Sequence, residues 1–99
     1  MFDNANLKEL GKLGAAAPAQ RQAFHSWEEA VMADGALSRK HKELIAVAVA
    51  LATQCPYCID IHANAARKEG ASEAELAEAA FVAATTKSGG AIIHAALFV

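Results

Sequence analysis

The fold is decided by the stretch SRKHKELIAVAVALATQCPYCIDIH, residues 38–62. Ser38 is a favoured N-cap, and the polar turn after it predicts a helix over about residues 39–53. Residues 44–52 are apolar without interruption, so we expect this helix to be covered on every side. Cys55-Pro56 then begins another helix, because proline is favoured at the first helical position. Two helices joined by a tight turn therefore form the centre of the predicted fold.

Helix signals also precede this hairpin. We expect a weak helical turn over about residues 4–12, ended by Gly14 and the alanines that follow it. Pro18 is well placed to open a helix that reaches about residue 33. The Asp34-Gly35 pair that comes next is typical of a turn.

Helix signals continue after the cysteines. Gly70 is a natural C-terminal stop for the helix that Pro56 opens. Ser72 and Glu75 predict a capping box for a helix that runs through about residue 85. We expect the Gly89-Gly90 pair to separate that helix from a final apolar helix over about residues 91–98, or to loosen the start of that final helix.

The composition favours one all-α domain. The chain has 99 residues, of which 55% are hydrophobic but only 6% aromatic. Alanine accounts for the difference, and it is the best helix former. Clusters of β-branched residues, which favour strands, are few. We predict a single domain over residues 1–99, an all-α bundle of about five to six helices with the Cys-x-x-Cys motif at a helix N-terminus.

Charge and hydropathy limit the function classes. The net charge of −2 argues against a nucleic-acid partner, which would need a basic face. The N-terminus lacks the pattern of a signal peptide, and the longest apolar run, residues 44–52, is too short to cross a bilayer. We therefore expect a cytoplasmic protein without a membrane partner. Cytoplasmic thiols are kept reduced, so two nearby cysteines are expected to be catalytic or metal-binding.

Two segments are hard to cover within one chain of this length. Residues 44–52 and 91–99 are the most apolar parts of the sequence. Because large exposed apolar patches mark association surfaces, we expect an obligate oligomer.

The residues that carry chemistry surround the cysteines. Cys55 and Cys58 are three positions apart at a helix start, so they lie on one face and can close a disulfide. Cys55 falls at the N-cap, where unpaired N–H groups and the helix dipole stabilise a thiolate. His62 follows Cys58 by four positions and shares its face. If Glu43, at the start of the apolar helix, is buried against His62, a Glu–His–Cys relay can accept the thiol proton.

Other interpretations of these residues remain open. Glu43, Cys55, Cys58 and His62 have the types and the number of ligands of a tetrahedral zinc site, which would make the protein a zinc-stabilised interaction module without enzymatic activity. The cysteines could also be ordinary buried thiols. A glutaredoxin-like fold is disfavoured, because it needs an apolar strand before the motif and the segment here is alanine-rich and helical.

The spacing of these residues resembles that of a known family. Glu43, eleven residues, Cys-Pro-Tyr-Cys at 55–58, three residues and His62 match the signature of the AhpD-like alkylhydroperoxidases of the carboxymuconolactone decarboxylase superfamily. The similarity extends over about residues 37–99. It implies an AhpD-like all-α bundle, assembly as a homotrimer or homohexamer, and thiol-based reduction of a hydroperoxide or a disulfide without a bound cofactor.

The resemblance also implies roles for single residues. Cys58 matches the cysteine that a relay of Glu43 and His62 activates, and Cys55 matches the one that then forms the disulfide. Where the family has a second histidine between the cysteines, this chain has Tyr57. A thiol reductant, either a protein or a small thiol, would restore the dithiol. The alternative within the superfamily is a decarboxylase that acts on a lactone, which the paired cysteines disfavour.

Overall fold

The computed structural model describes residues 2–99. Within that range, a 3-10 helix precedes five α-helices, and a second 3-10 helix follows them. The elements are the 3-10 helix Asn4–Glu9, α1 (Leu10–Ala16), α2 (Pro18–Met32), α3 (Arg39–Thr53), α4 (Pro56–Lys68), α5 (Glu73–His94) and the 3-10 helix Ala95–Leu97. No strand occurs in the described part of the chain. The predicted all-α bundle of about five to six helices is confirmed.

Local capping explains why α3 begins where the sequence predicted. The Ser38 hydroxyl accepts a hydrogen bond of 3.2 Å from the His41 N–H, and the Asp34 carboxylate accepts one of 2.7 Å from the Arg39 N–H. Both bonds satisfy N–H groups that have no partner inside the helix.

The turn between α3 and α4 brings the two helices together at Cys55. Gln54 ends α3 in the left-handed region, with φ 56° and ψ 50°. The Cys55 N–H then donates to the Ala50 carbonyl at 3.0 Å, as in a Schellman motif. Cys55 is at the same time the N-cap of α4. A single turn therefore ends one helix and begins the next, and its geometry fixes the position of Cys55.

The core lies where α3 packs against α4 and α5. Val47 of α3, Ala66 of α4 and Leu76 of α5 are buried together. Ala66 has no exposed surface, and its small side chain lets the helices approach closely. The predicted capping box at the start of α5 is present, with both Ser72–Glu75 hydrogen bonds formed.

Two predicted helix breaks are wrong. Helix α1 continues through Gly14 to Ala16, and α5 passes unbroken through Gly89 and Gly90 to His94. The predicted end near residue 85 and the separate final helix are therefore not found. A glycine inside a helix costs only about 1 kcal/mol relative to alanine, and helix propagation is cooperative, so the flanking residues carry the helix past these positions.

Much apolar surface of the single chain is uncovered. No residue of α2 is buried, and its Phe24 and Trp27 are 59% and 65% exposed. Ile45 and Val49 of α3 are also exposed, so α3 is not covered on every side within one chain. The radius of gyration is 16.3 Å, whereas a compact domain of 100 residues has about 13 Å.

None of the helices within residues 2–99 combines the length and the hydropathy that crossing a bilayer requires.

Candidate functional site

Both cysteines lie at the turn that joins α3 to α4. The structure pairs Cys55 and Cys58 in a disulfide, with Cα atoms 5.3 Å apart, and both residues are half-buried. The Cys55 sulfur accepts a hydrogen bond of 3.3 Å from the Cys58 N–H. This sulfur therefore lies at the start of a helix, where unpaired N–H groups and the helix dipole stabilise negative charge.

An acid–base pair spans the interface between α3 and α4. Glu43 is 3% exposed, and it is the only buried polar or charged residue within residues 2–99. Its Oε1 lies 2.8 Å from Nδ1 of His62, whose side chain is 25% exposed. A buried carboxylate needs such a partner. The contact also orients the imidazole, so that Nε2 is the nitrogen that can exchange a proton with a thiol or with solvent.

The four predicted site residues form two pairs connected through α4. The structure brings Cys55 to Cys58 and Glu43 to His62, and Cys58 and His62 are one helical turn apart. A thiol, an imidazole and a buried carboxylate in this order are the components of a proton relay.

The zinc alternative rests on four possible ligand residues. Within residues 2–99, no group of three or more His, Cys, Asp or Glu side chains is arranged to hold a metal ion. The two cysteine sulfurs are bonded to each other.

The N-terminal residues contact the N-terminal part of α4, which the sequence did not predict. The Phe2 ring meets the Tyr57 ring edge-on, with centroids 4.6 Å apart. The Asn6 amide donates to the Tyr57 hydroxyl at 3.0 Å, and the Asn4 amide donates to the Asp60 carboxylate at 2.7 Å. No periodicity or spacing in the sequence links these asparagines to residues more than 50 positions away.

Comparison with known proteins assigns the chain to a family. The sequence model of the Carboxymuconolactone decarboxylase family matches residues 18–99. The chain belongs to this family. The matched range contains all four candidate site residues, and the family resemblance predicted from their spacing is confirmed.

Two sequence relatives show how far this family likeness extends. The chain is 46% identical over 86 residues to "Uncharacterized protein 4 in cox locus" of Paracoccus denitrificans, an alignment that covers 87% of this chain and 78% of that protein. It is 39% identical over 71 residues to a Cupriavidus necator protein, covering 72% of this chain and 63% of that protein. The chain thus spans less than two thirds of the Cupriavidus protein.

Solved structures share the helical fold of this family member. A carboxymuconolactone decarboxylase family protein from Legionella pneumophila superposes with a TM-score of 0.79 and 38% identity, over 91% of this chain and 80% of that one. A Methanobacterium thermoautotrophicum protein gives a TM-score of 0.79 and 40% identity, over 86% and 97% of the two chains.

Proposed function

We propose that this carboxymuconolactone decarboxylase family member is an AhpD-like, thiol-dependent peroxidase or disulfide reductase. Cys55 and Cys58 are its dithiol–disulfide couple, and Glu43 and His62 are its proton relay. The observation that carries the proposal is the 2.8 Å contact between Glu43 and His62, one helical turn from Cys58. A buried acid–base pair is weak support for stability, whereas a histidine oriented one helical turn from a cysteine suits general base catalysis.

The reaction begins in the dithiol form. His62 takes the proton of the Cys58 thiol, and Glu43 stabilises the imidazolium that results. The Cys58 thiolate attacks the outer oxygen of a hydroperoxide, the O–O bond breaks, and the alcohol leaves with the proton that His62 returns. Cys58 is then a sulfenic acid.

The second step forms the disulfide. Cys55, already close to Cys58 at the helix start, attacks the Cys58 sulfur, and water leaves with the oxygen. The two thiols have then given two electrons to the peroxide. Two thiols of an external reductant, a protein or a small molecule, restore the pair through a mixed disulfide. The same exchange with a disulfide substrate gives reductase activity, and neither route needs a bound cofactor. Such reductants are supplied by the cytoplasm, where we place the protein.

We also propose that the active form is a homotrimer or homohexamer. Only five hydrophobic residues within residues 2–99 are buried, and three of them are alanines, so the chain's own core is small for a stable domain. Exposed apolar side chains lie on three helices: Phe24, Trp27 and Val31 of α2, Ile45 and Val49 of α3, and Phe81 and Val82 of α5. Contacts between copies would cover these surfaces.

Turnover of tert-butyl hydroperoxide with a dithiol reductant tests the proposed chemistry. Cys58→Ser should abolish turnover, because the attacking sulfur is lost. Assayed without the reductant, Cys55→Ser should consume one equivalent of peroxide and stop as a sulfenic acid. Wild-type protein that consumes the peroxide no faster than Cys58→Ser would refute the proposal.

A further inference from the structure

The N-terminal segment, residues 2–9, has a defined local structure despite its exposure. The Asp3 carboxylate accepts a hydrogen bond of 2.9 Å from the Ala5 N–H, and the Asp3 carbonyl accepts one of 2.9 Å from the Asn6 N–H. These bonds cap the 3-10 helix Asn4–Glu9, which contains no buried residue. Burial in the core therefore does not hold the segment in place, and its side-chain contacts with α4 become the relevant interactions.

Those contacts fall on one side of the first part of α4. Tyr57 and Asp60 receive all three of them, and residues three positions apart share a side of a helix. Tyr57 is one of the two residues enclosed between the cysteines. On another side of α4, Glu43 holds His62. The turn that carries Cys55 and Cys58, which we call the redox turn, is thus held from two directions, by the N-terminal segment and by α3.

We propose that residues 2–9 act as a clamp, and that Asn6, through Tyr57, is a positioning residue for the redox turn. Helix ends fray, and fraying of α4 would move the Cys58 N–H away from the Cys55 sulfur that it contacts at 3.3 Å. The two sulfurs would then spend less time within bonding distance. Holding the turn raises their effective concentration toward each other, which favours the disulfide over the dithiol.

The clamp gives Tyr57 a structural role. Position 57 is where the sequence departs from the AhpD-like pattern, with tyrosine instead of histidine. Its hydroxyl accepts the Asn6 hydrogen bond, and its ring packs on Phe2. Both partners precede residues 18–99, the range that the family model matches. Residues outside the matched range therefore contact the residue that lies between the two cysteines.

The reduction potential of the cysteine pair tests the clamp. The protein is equilibrated in glutathione buffers of known ratio, the thiols are trapped by alkylation, and mass spectrometry gives the oxidised fraction. Asn6→Ala should lower the equilibrium constant for disulfide formation roughly two- to tenfold, which is the factor that one hydrogen bond usually contributes to an equilibrium constant. A tenfold change corresponds to a potential about 30 mV more positive.

Two further variants make the result specific. Tyr57→Phe removes the acceptor of the same hydrogen bond, so it should give the same shift, and the double variant should add nothing. Gln22→Ala removes a different exposed hydrogen bond, to Ser26 on α2 at 3.2 Å, and should leave the constant unchanged. The proposal is overturned if Asn6→Ala and Tyr57→Phe both match the wild type, or if Gln22→Ala shifts the constant equally.

This inference depends on the Cys55–Cys58 couple of the proposed function but not on its substrate. The glutathione equilibrium is measured without any peroxide turnover. A protein with no peroxidase activity can still show the predicted shift, and an active peroxidase can still lack it. The two proposals can therefore fail separately.

Discussion

The buried carboxylate of Glu43 can be replaced by an amide of nearly the same shape. Glu43→Gln keeps an oxygen near Nδ1 of His62, where the wild-type distance is 2.8 Å, so the packing of α3 on α4 should survive. The change removes the negative charge that stabilises a protonated imidazole. We expect folding and assembly to be unchanged, and the reactivity of Cys58 to fall.

The size of the effect follows from the burial of Glu43. A hydrogen bond to a charged group contributes about 1.5–3 kcal/mol, and about 1.4 kcal/mol corresponds to a tenfold change in rate. Because Glu43 is 3% exposed, solvent screens this contact little. The reaction of Cys58 with iodoacetamide at neutral pH should therefore slow by about 10- to 150-fold, which overlaps the lower part of the range for general acid–base catalysis.

The assay is the pH profile of iodoacetamide labelling, followed by mass spectrometry. A Cys55→Ser background leaves Cys58 as the single thiol. In that background the rate should rise at a pH below about 8.5, the ordinary pKa of a free thiol, and Glu43→Gln should move the rise to higher pH. Glu29→Gln is the matched control, because Glu29 forms an exposed pair with His25 on α2, at 3.2 Å. Superimposable profiles with and without Glu43→Gln would show that Glu43 does not activate the thiol.

Three further predictions concern assembly, the redox turn and acid stability. Trp27, the only tryptophan of the chain, is 65% exposed in one copy. If α2 lies in a subunit interface, the fluorescence of Trp27 should shift to shorter wavelength on assembly and resist quenching by acrylamide. Phe24→Glu should reverse both effects. Emission typical of exposed tryptophan in the assembled protein would contradict an interface at α2. Gln54→Gly should raise the free energy of unfolding, measured in urea, by about 0.5–1 kcal/mol. Gln54 has φ 56°, and a left-handed conformation is costly for residues other than glycine. An equal gain in stability for Gln54→Ala would exclude this cause. The hydrogen bond from Lys40, 2.9 Å away, is the largest of the contacts that lower the pKa of Glu75 from 4.5 to about 2. A carboxyl group with a lowered pKa in the folded state stabilises the fold at a pH above its pKa in the unfolded state, and this stabilisation is lost as the pH falls toward its pKa in the folded state. The melting temperature should therefore decline more steeply between pH 5 and pH 2 for the wild type than for Glu75→Gln.

The ends of the central helices were predictable from sequence because their causes are local. Ser38 caps α3 through a residue three positions away, and Cys55 with Pro56 opens α4 in the same way. The Ser72–Glu75 capping box is equally short in range. Each signal acts within one helical turn, so it predicts the helix end without knowledge of the rest of the fold.

Features that depend on distant contacts could not be predicted in this way. Gly89 and Gly90 signal a break by themselves, but the long helix around them carries the chain through. The contact of Asn6 with Tyr57 joins residues 51 positions apart, and nothing near either residue indicates it. The Glu43–His62 pair lies between these cases, because it crosses two helices but its spacing is typical of the AhpD-like pattern.

Oxidation of the reduced protein by one equivalent of an organic hydroperoxide tests whether Cys55 and Cys58 form a redox couple that reduces peroxide. Intact mass and free thiols are measured before and after the reaction. We expect both thiols of the chain to disappear, the mass to fall by two hydrogens, and digestion to locate the new bond between Cys55 and Cys58. The Cys55→Ser variant should instead gain one oxygen on Cys58. Recovery of both thiols together with unconsumed hydroperoxide would contradict a peroxide-reducing role for the cysteine pair.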